Sequence, residues 1–398
     1  MKYILIIPDG AADHPCPELD GKTPLEAAKT PALDRLAAEG RMGLAANVPD
    51  GMPPGSDVAI LSLLGYDPTR GYTGRAALEA AAMGVDIPEG DAVFRANMVT
   101  VFDGVMLDYS AGHISTDEAR EIIARLNEDL KIDGVKLFPG VGYRHLCLIE
   151  NAAVQIPACV PPHEILDHAV AENAPQGGFS SWVLEVERTS AELMGAYEVN
   201  HRRIEEGKSP ATQLWLWGGA TAMQLEPFAT RFGIGSAGLI SAVDLLRGIG
   251  KLASMDVLTV FGATGYYDTN YAGKGRTALD YIYGHDCIVV HVEAADEAGH
   301  DGNLVQKIAA IESIDRHIVS PLAVMARHFG DWRILVSPDH PTPVATRNHI
   351  AEPVPFVMWG PGITANGAER FSENEAQRAG GEAINGLELT RMLFAKDS

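Results

Sequence analysis

Three aspartates each follow a short apolar run that has the composition of a buried strand, namely Asp9, Asp296 and Asp339. Two of them have a histidine close behind: His300 follows Asp296 by about one helical turn, and His340 follows Asp339 directly. In a parallel sheet, functional side chains collect just beyond the carboxyl ends of the strands. We therefore expect these five side chains to lie together at one edge of a sheet.

A further candidate ligand, His349, lies later in the chain in the run Arg-Asn-His-Ile. Carboxylate oxygens and imidazole nitrogens together suit a divalent metal, with Mn²⁺ favoured and Zn²⁺, Co²⁺ or Mg²⁺ as alternatives. The set is large enough for two ions, and two close ions stabilise the attacking and leaving oxygens of phosphoryl transfer. A single aspartate after a strand would more often be a helix cap or a turn residue, so the prediction rests on the whole set.

Ser56 stands in the run Pro-Pro-Gly-Ser-Asp-Val-Ala, at the predicted start of a helix. Pro53 and Pro54 stiffen the approach, and Gly55 permits an unusual backbone angle. Backbone N–H groups and the helix dipole favour an anion at such a position. Two interpretations stay open: a plain N-cap serine, or a nucleophile activated by nearby metal ions.

The elements that position these residues alternate between strand and helix. Helices are predicted at residues 237–252, 275–283 and 304–329, and strands at residues 257–261, 287–292, 333–336 and 355–359. This order predicts an α/β fold with a mainly parallel sheet flanked by helices. The middle of the chain has shorter strands and several proline-rich joints. We predict an inserted α+β domain at residues 84–227, within a metal-binding domain made of residues 1–83 and 228–398.

The chain has 398 residues, of which 46% are hydrophobic, and a net charge of −22. Such a charge repels nucleic acid and anionic membranes, so neither is expected as a partner. It also repels an anionic metabolite, so an enzyme that handles phosphate needs metal ions or clustered arginines at its site. The oligomeric state does not follow from the sequence.

The four cysteines are widely scattered and form no Cys-x-x-Cys pair. A disulfide framework is not expected in a chain of this length, which favours a reducing compartment. The apolar run at the start is too short for a signal peptide and leads into Pro-Asp-Gly rather than a small-residue cleavage site. The sequence therefore predicts a cytoplasmic protein.

Several ordered motifs resemble those of the cofactor-independent phosphoglycerate mutases of the archaeal type, which belong to the alkaline-phosphatase superfamily. The resemblance extends over nearly the whole chain. The motifs are Pro-Asp-Gly at residues 8–10, Gly-Ser-Asp-Val-Ala at 55–59, Leu-Leu-Gly-Tyr-Asp-Pro at 63–68, Tyr-Thr-Gly-Arg at 72–75, Gly-Ala-Thr-Gly-Tyr at 262–266, Asp-Glu-Ala-Gly-His at 296–300 and Pro-Asp-His-Pro-Thr-Pro at 338–343.

The resemblance implies an alkaline-phosphatase-like fold and two metal sites around a small phosphorylated substrate. One ion would be held by Asp9, Ser56, Asp339 and His340, and the other by Asp296, His300 and His349. The resemblance also implies that Ser56 takes the phosphoryl group and becomes a phosphoserine. The glycerate would then turn and accept the phosphate on its other hydroxyl while the inserted domain closes over it.

The resemblance further implies substrate-handling residues in the inserted domain and beside the metal site. His113 matches a family histidine thought to act in acid–base chemistry. The remaining candidates for substrate contact, of which His163 and Lys274 are the weaker ones, are Arg144, His145, His163, Arg203 and Lys274.

One departure from the family pattern leaves open which molecule accepts the phosphoryl group. Archaeal-type mutases usually carry an arginine in a Leu-Arg-Gly stretch, and Trp217 stands at that place in Leu-Trp-Gly. This form resembles a bacterial branch of the family that has been proposed to act as homoserine kinases. A mutase is the leading hypothesis, and a homoserine kinase-like phosphotransferase on the same metal centre is the alternative.

Two further hypotheses are a phosphatase and a metal-binding protein without catalytic activity. A metal-dependent phosphatase would use water in place of the second acceptor, but a large closing domain favours transfer because it excludes water. A non-catalytic metal-binding protein is disfavoured because every metal and nucleophile position of the family pattern is filled.

Overall fold

The computed structural model describes residues 1–153 and 155–395. The chain forms two compact units, one made of Met1–Tyr72 with Gln224–Ser398 and the other of Thr73–Met223. The second unit contains residues 84–223 of the predicted insertion and also the helix Arg75–Met83, which packs on strands of that unit. The predicted limits at residues 84 and 227 stay a prediction.

The described residues contain thirteen strands. In chain order they are β1 (Lys2–Pro8), β2 (Arg41–Ala46), β3 (Ala92–Phe102), β4 (Val105–Asp108), β5 (Val135–Phe138), β6 (Arg144–Ile149), β7 (Gln213–Ala220), β8 (Ala237–Ile240), β9 (Asp256–Leu258), β10 (Cys287–Val292), β11 (Trp332–Val336), β12 (Val354–Trp359) and β13 (Ile384–Asn385).

The α-helices, again in chain order, are α1 (Pro24–Ala27), α2 (Pro31–Glu39), α3 (Ser56–Leu63), α4 (Arg75–Met83), α5 (Thr116–Asp129), α6 (Ser180–Met194), α7 (Glu198–Glu205), α8 (Phe228–Phe232), α9 (Asp244–Leu252), α10 (Tyr271–Gly284), α11 (Ala294–His300), α12 (Leu304–Ile314), α13 (Ser320–Phe329), α14 (Glu373–Gly380) and α15 (Gly386–Phe394). A π-helical turn, Asp315–Val319, joins α12 to α13. Among the described helices, none combines the length and the apolar character that crossing a membrane requires.

The first unit is built on an eight-stranded sheet with the order β13-β2-β12-β11-β1-β10-β8-β9. All neighbouring pairs are parallel except those that β12 makes with β11 and β2. The central strands β1, β10 and β11 are buried along almost their whole length, as expected for strands covered by helices on both faces. The predicted α/β fold with a mainly parallel sheet is therefore confirmed.

One predicted element of this unit is wrong. The sequence predicts a single helix over residues 237–252, whereas the structure has the strand β8 followed by the helix α9. β8 lies between β10 and β9 and all four of its residues are buried. Glycine is a poor strand former, which hides this strand in the sequence. The fold nevertheless requires glycine at position 238, because a Cβ there would come within 2.6 Å of the Tyr281 ring.

The second unit is an antiparallel sheet with α5 and α6 packed on one face. β3 is the central strand and pairs with β4, β6 and β7, while β5 pairs with β6. One face of β3 carries Phe94, Ala96 and Met98, which pack in a core with side chains from α5 and α6. The alternate residues Arg95, Asn97 and Val99 point to the other face because successive side chains of a strand alternate.

Helix α6 covers the edge of β7 with side chains. Ser190 Oγ accepts a hydrogen bond from the Leu214 N–H at 2.9 Å, and Glu187 Oε1 accepts one from the Leu216 N–H at 2.8 Å. These bonds satisfy backbone donors that an edge strand would otherwise leave unpaired. Burial raises the pKa of Glu187 to about 8, so its carboxyl is largely protonated at neutral pH.

We expect Glu187→Gln to stabilise the protein increasingly as the pH rises from 5 to 8. The folded pKa of this carboxyl is about 8 and its ordinary value is 4.5, so between these values only the unfolded state releases the proton. The carboxyl therefore costs the wild type about 1.4 kcal/mol of stability per pH unit in that window. Glutamine keeps a side-chain oxygen that can accept the Leu216 N–H, and it has no carboxyl proton to release. Urea unfolding at several pH values measures the difference, and a difference that is independent of pH would contradict the expectation.

Candidate metal centre and nucleophile

The three strand-end aspartates lie at one edge of the eight-stranded sheet. Their strands β11, β1 and β10 are direct neighbours in the sheet and run parallel, so their carboxyl ends meet at the same edge. Asp9 follows β1, Asp339 follows β11, and Asp296 lies in α11, which begins just after β10. The structure thus brings together the acids that the sequence places after three separate strands.

Asp9, Asp339 and His340 form a first group whose ligand atoms all lie within 4.8 Å of one another. His340 Nε2 is 3.2 Å from Asp339 Oδ2 and 3.7 Å from Asp9 Oδ1. All three residues are buried, yet Asp9 Oδ1 and Asp339 Oδ2 have no hydrogen-bond partner. A buried carboxylate oxygen without a donor is costly, and a divalent cation bound between these oxygens would remove that cost.

Ser56 lies beside this first group. Its Oγ is 3.2 Å from His340 Nε2. Ser56 is the first residue of α3, and the N-cap is Gly55, which has no side chain that could form a capping hydrogen bond. The interpretation of Ser56 as a plain N-cap serine is therefore wrong, and its hydroxyl points to the ligand group instead.

Gly55 is required for a different reason from the one that the sequence suggests. Its backbone has φ −148° and ψ 151°, which is ordinary extended conformation, so the expected unusual angle is absent. A Cβ at this position would lie 2.6 Å from Asp57 Oδ1. That oxygen accepts the Val58 N–H at 2.9 Å, and Asp57 Oδ2 accepts the Tyr72 hydroxyl. The glycine thus makes room for the acid that secures the start of α3.

Asp296, His300 and His349 form a second group. The Nδ1 atom of each histidine faces a backbone carbonyl, that of Arg347 at 2.9 Å for His300 and that of Pro54 at 3.2 Å for His349. A carbonyl oxygen only accepts, so each Nδ1 carries the proton. In its neutral form, each ring would therefore present the lone pair of Nε2 to the group, as in many histidine ligands whose second nitrogen is held by a carbonyl.

The two Nε2 atoms of this second group face each other at 2.8 Å. Asp296 completes the group, with its oxygens 3.2 Å from His300 Nε2 and 3.3 Å from His349 Nε2. Two lone pairs and a carboxylate that converge on one point repel one another unless a cation or a proton lies between them. The donor set of two imidazoles and a carboxylate fits a divalent transition metal.

The electrostatics of the metal-free site point the same way. Burial, together with repulsion from the neighbouring carboxylates, raises the pKa of Asp9 well above its usual range. The same causes raise the pKa of Glu293 to about 8. Burial alone would also raise the pKa of Asp296, but hydrogen bonds from His300 and His349 hold it well below its usual range. Bound cations would relieve this crowding of buried negative charge.

Metal affinity should rise with pH until about pH 9. The hydrogen bond to Asp296 raises the pKa of His300 to about 9 in the metal-free site, so a proton occupies its Nε2 at neutral pH. A metal ion must displace that proton, and the apparent affinity should grow about tenfold per pH unit below pH 9 and then level off. Calorimetric titration in two buffers with different ionisation heats measures both the affinity and the released proton. An affinity that levels off near pH 7 would contradict this.

Thr342 and Gly10 hold the two groups against each other. Thr342 Oγ1 donates a hydrogen bond to Asp296 Oδ1 and lies 3.3 Å from His340 Nδ1, so it contacts one ligand of each group. Gly10 has φ +59°, and a Cβ there would lie 2.5 Å from Asp296 Oδ1. Any larger residue at position 10 would push the loop after β1 away from Asp296.

Two polar residues behind the first group are absent from the sequence prediction. His291 Nε2 donates to Asp9 Oδ2 at 2.7 Å, and its Nδ1 lies 3.1 Å from Ser241 Oγ. Burial lowers the pKa of His291 well below its ordinary value, so the ring is neutral. The only sequence signal is a histidine inside an otherwise β-branched strand. Such a residue is difficult to distinguish from a core histidine without the fold.

The comparisons with known proteins agree on one family. A family model described as 2,3-bisphosphoglycerate-independent phosphoglycerate mutase matches residues 37–200. A probable 2,3-bisphosphoglycerate-independent phosphoglycerate mutase from Geobacter sulfurreducens is 46% identical over 399 residues, covering 99% of this chain and 100% of that protein. The 2,3-bisphosphoglycerate-independent phosphoglycerate mutase of Methanosarcina barkeri is 44% identical over 395 residues, covering 99% of each chain. The chain belongs to this family.

The solved structure of the cofactor-independent phosphoglycerate mutase from Thermoplasma acidophilum is similar over the whole length. Its TM-score is 0.68 at 27% sequence identity, and the match covers 99% of both chains. The family resemblance predicted from the motifs is thus confirmed.

Three of the residues predicted to handle substrate in this mutase family are buried. Arg203 donates to Ser209 O and Ala111 O and pairs with Glu118 at 2.9 Å, so its guanidinium is already occupied. His145 lies on the helix-covered face of the second unit, where its Nδ1 accepts the Gly140 N–H at 3.0 Å. Burial lowers the pKa of His145 to about 3. Arg203 and His145 therefore support the surrounding loops.

Lys274 and His113 differ sharply in their surroundings. Lys274 is buried and its Nζ donates to His291 O at 2.9 Å, so it supports the strand behind Asp9. His113 is exposed and closes a run of three residues with positive φ, from Ala111 to His113. Arg203 holds this run through Ala111 O, which fixes the loop that carries His113.

The remaining predicted contacts, Arg144 and His163, are exposed on the second unit. The Arg144 guanidinium lies 5.8 Å from the Tyr143 ring centroid, and the His163 ring packs edge-on against Trp217 at 5.6 Å. Both lie near the position where the family pattern has an arginine and this chain has Trp217.

Proposed function

We propose that the protein interconverts 3-phosphoglycerate and 2-phosphoglycerate without added 2,3-bisphosphoglycerate, through a phosphoserine at Ser56. One observation supports this proposal above the others: Ser56 Oγ lies 3.2 Å from His340 Nε2, beside two groups of ligand side chains. The proposed substrate is inferred from the membership of the chain in the mutase family.

The first half-reaction joins Ser56 Oγ to phosphorus and breaks the bond from phosphorus to the C3 oxygen of the substrate. The serine loses its proton, and the departing glycerate oxygen gains one. In the second half-reaction, the C2 hydroxyl attacks the same phosphorus, loses its proton and restores Ser56. The position of Ser56 at the start of α3 favours the negative charge that collects there, because the helix dipole and free N–H groups face it.

The residues that would hold two divalent ions are those of the two groups described above. Asp9, Asp339, His340 and Ser56 are the donors for one ion, and Asp296, His300 and His349 are the donors for the other. When bound, the ions would neutralise charge on the transferring phosphoryl group and favour the ionised form of Ser56. We propose Mn²⁺ as the ion, because mixed carboxylate and imidazole donors suit it, with Zn²⁺, Co²⁺ or Mg²⁺ as alternatives.

The proton transfers at glycerate need a group outside the crowded ligand set. We propose His113 for this role because it is exposed and because its loop is fixed by Arg203. Asp9 and His291 are unsuited, since both are fully buried and already share a hydrogen bond.

The proposal is tested by following the phosphorus NMR signals of 3-phosphoglycerate mixed with the purified, Mn²⁺-loaded protein. We expect the signal of 2-phosphoglycerate to appear without added 2,3-bisphosphoglycerate. Inorganic phosphate as the sole product would identify a phosphatase and overturn the proposal. A parallel sample with homoserine and ATP tests the homoserine kinase alternative, and formation of O-phosphohomoserine alone would favour it.

We also propose a cytoplasmic location, where phosphoglycerate is metabolised. All four cysteines are free thiols, and three of them are buried. Unpaired thiols suit a reducing compartment.

A further inference from the structure

Asn47 is a buried amide that holds the backbone of the segment carrying Asp339 and His340. Its side chain is only 2% exposed, and Nδ2 donates to Pro338 O and to Asp339 O, each at 3.0 Å. A carbonyl oxygen only accepts, so the NH₂ end of the amide must face these two residues. Both amide hydrogens are therefore committed to the backbone of the first group.

Asn47 reaches this segment from a strand that does not pair with β11. It directly follows β2, which pairs antiparallel with β12, and β12 in turn pairs antiparallel with β11. Two antiparallel steps give β2 and β11 the same direction, so both strands end at the same edge of the sheet. The side chain of Asn47 thus joins the ends of two strands that share no backbone hydrogen bonds.

The oxygen end of the same amide contributes nothing comparable to the fold. Asn47 Oδ1 is buried and has no hydrogen-bond partner among the described residues. A Cβ on Gly386, at the start of α15, would lie 2.6 Å from this oxygen, so the helix approaches it closely. A buried acceptor without a donor is costly. The amide therefore stabilises the protein only through its two donors to the segment after β11.

These two donors complete the fixing of Asp339. The carbonyls that they bind belong to the peptide groups on either side of this residue. Asp339 Oδ1 accepts the N–H of Gly10 at 3.2 Å and that of His340 at 2.9 Å, which fixes the carboxylate as well. Asp339 Oδ2 remains directed at the first group, 3.2 Å from His340 Nε2. Outer partners of this kind orient the ligands of a metal ion.

We propose that Asn47 is the positioning residue of the first group, because it sets the backbone from which Asp339 and His340 reach a divalent ion. This inference rests on the metal sites of the proposed function. Asn47 acts through the backbone, since both of its hydrogen bonds end on carbonyl oxygens rather than on ligand atoms.

The second group is held by other contacts. Thr342 donates to Asp296, and the carbonyls of Arg347 and Pro54 face His300 and His349. Loss of the Asn47 amide should therefore weaken the binding of one ion and spare the other.

The test measures Mn²⁺ affinity by calorimetric titration of chelated protein in a His349→Ala background, where the second group lacks a ligand. We expect the Kd of the remaining site to rise about 10- to 100-fold when Asn47→Ala is added, the usual effect of losing an outer partner of a metal ligand. Asn47→Thr keeps one hydroxyl donor, which can bond only one of the two carbonyls, so its Kd should fall between the two.

A second readout uses the protein with both ligand groups intact. The Mn²⁺ concentration that gives half-maximal mutase activity should rise by the same factor in Asn47→Ala, and saturating Mn²⁺ should restore most of kcat. A variant that is folded and merely less stable at the assay temperature would need no additional Mn²⁺.

Asn366→Ala is the matched control for this substitution. Asn366 belongs to the same unit and also bridges two carbonyls, donating to Met42 O at 2.7 Å and to Ala379 O at 3.0 Å. Its bonds hold the opposite end of β2, away from both ligand groups. Asn366→Ala should lower the melting temperature and leave the Kd for Mn²⁺ unchanged.

An unchanged Kd in folded Asn47→Ala and Asn47→Thr, or an equal loss of affinity in Asn366→Ala, would overturn this inference and leave the proposed function standing. A wild-type protein that binds no Mn²⁺ would overturn the proposed metal sites, and this inference with them.

Discussion

Replacing Ser56 by alanine is expected to lower mutase activity at least about a thousandfold while the fold stays intact. Loss of a nucleophile that forms a covalent intermediate removes a whole reaction path. Ser56 is not the N-cap of α3 and its Oγ hydrogen-bonds to His340 Nε2, so its removal should lower the free energy of unfolding by only about 1 kcal/mol. Coupled assay of 2-phosphoglycerate formation and urea unfolding measure the two effects.

The matched control for this substitution lies on the same helix. Ser62 is buried near the end of α3, and its hydroxyl has no hydrogen-bond partner among the described residues. Ser62→Ala therefore removes an unsatisfied polar group and should keep wild-type activity. Retention of more than a few per cent of activity in Ser56→Ala would show that another group receives the phosphoryl group.

Removal of divalent metal is expected to abolish activity, and Mn²⁺ should restore it. The buried carboxylates at the site repel one another without cations, and three of their oxygens, on Asp9, Glu293 and Asp339, have no hydrogen-bond partner. Metal removal should therefore also lower the melting temperature, because a bound ion stabilises the folded state by mass action. Elemental analysis, activity and calorimetry before and after chelation measure these effects.

Single ligand variants extend this test to one group at a time. His349→Ala removes one of the two facing Nε2 donors and should reduce the metal content from two ions per chain towards one. His317→Ala is the control, because His317 is exposed and belongs to neither ligand group. Full activity in chelated protein that elemental analysis shows to be metal-free would contradict a role for metal.

The clustering of the candidate ligands was predictable because it follows from one feature of the fold. Asp9, Asp296 and Asp339 follow strands that are visible as short apolar runs, and parallel strands bring their carboxyl ends together. Local sequence was also sufficient for β10 and for most of α10. The strand β8 escaped prediction because pairing on both sides, which no local pattern shows, overrides the helical spacing that continues into α9.

The candidate substrate contacts were harder to assign for a physical reason. The sequence predicts Arg203 and Lys274 as candidate substrate contacts, but tertiary packing buries both and gives them carbonyl acceptors within the protein. The stacking of Arg95 on Trp217 carried no sequence signal, because it depends on the register of β3 and β7, two strands that are far apart in the chain. Register across long separations is set by the fold rather than by local residues.

The most direct test of the central claim is to identify the residue that carries phosphate during turnover. The Mn²⁺-loaded protein is mixed with 3-phosphoglycerate, quenched in acid within milliseconds, digested and analysed by mass spectrometry. We predict a phosphoserine at Ser56 in the wild type, and its absence in Ser56→Ala. Efficient formation of 2-phosphoglycerate with no phosphate on Ser56 at any quench time, or with phosphate on a different residue, would contradict the account.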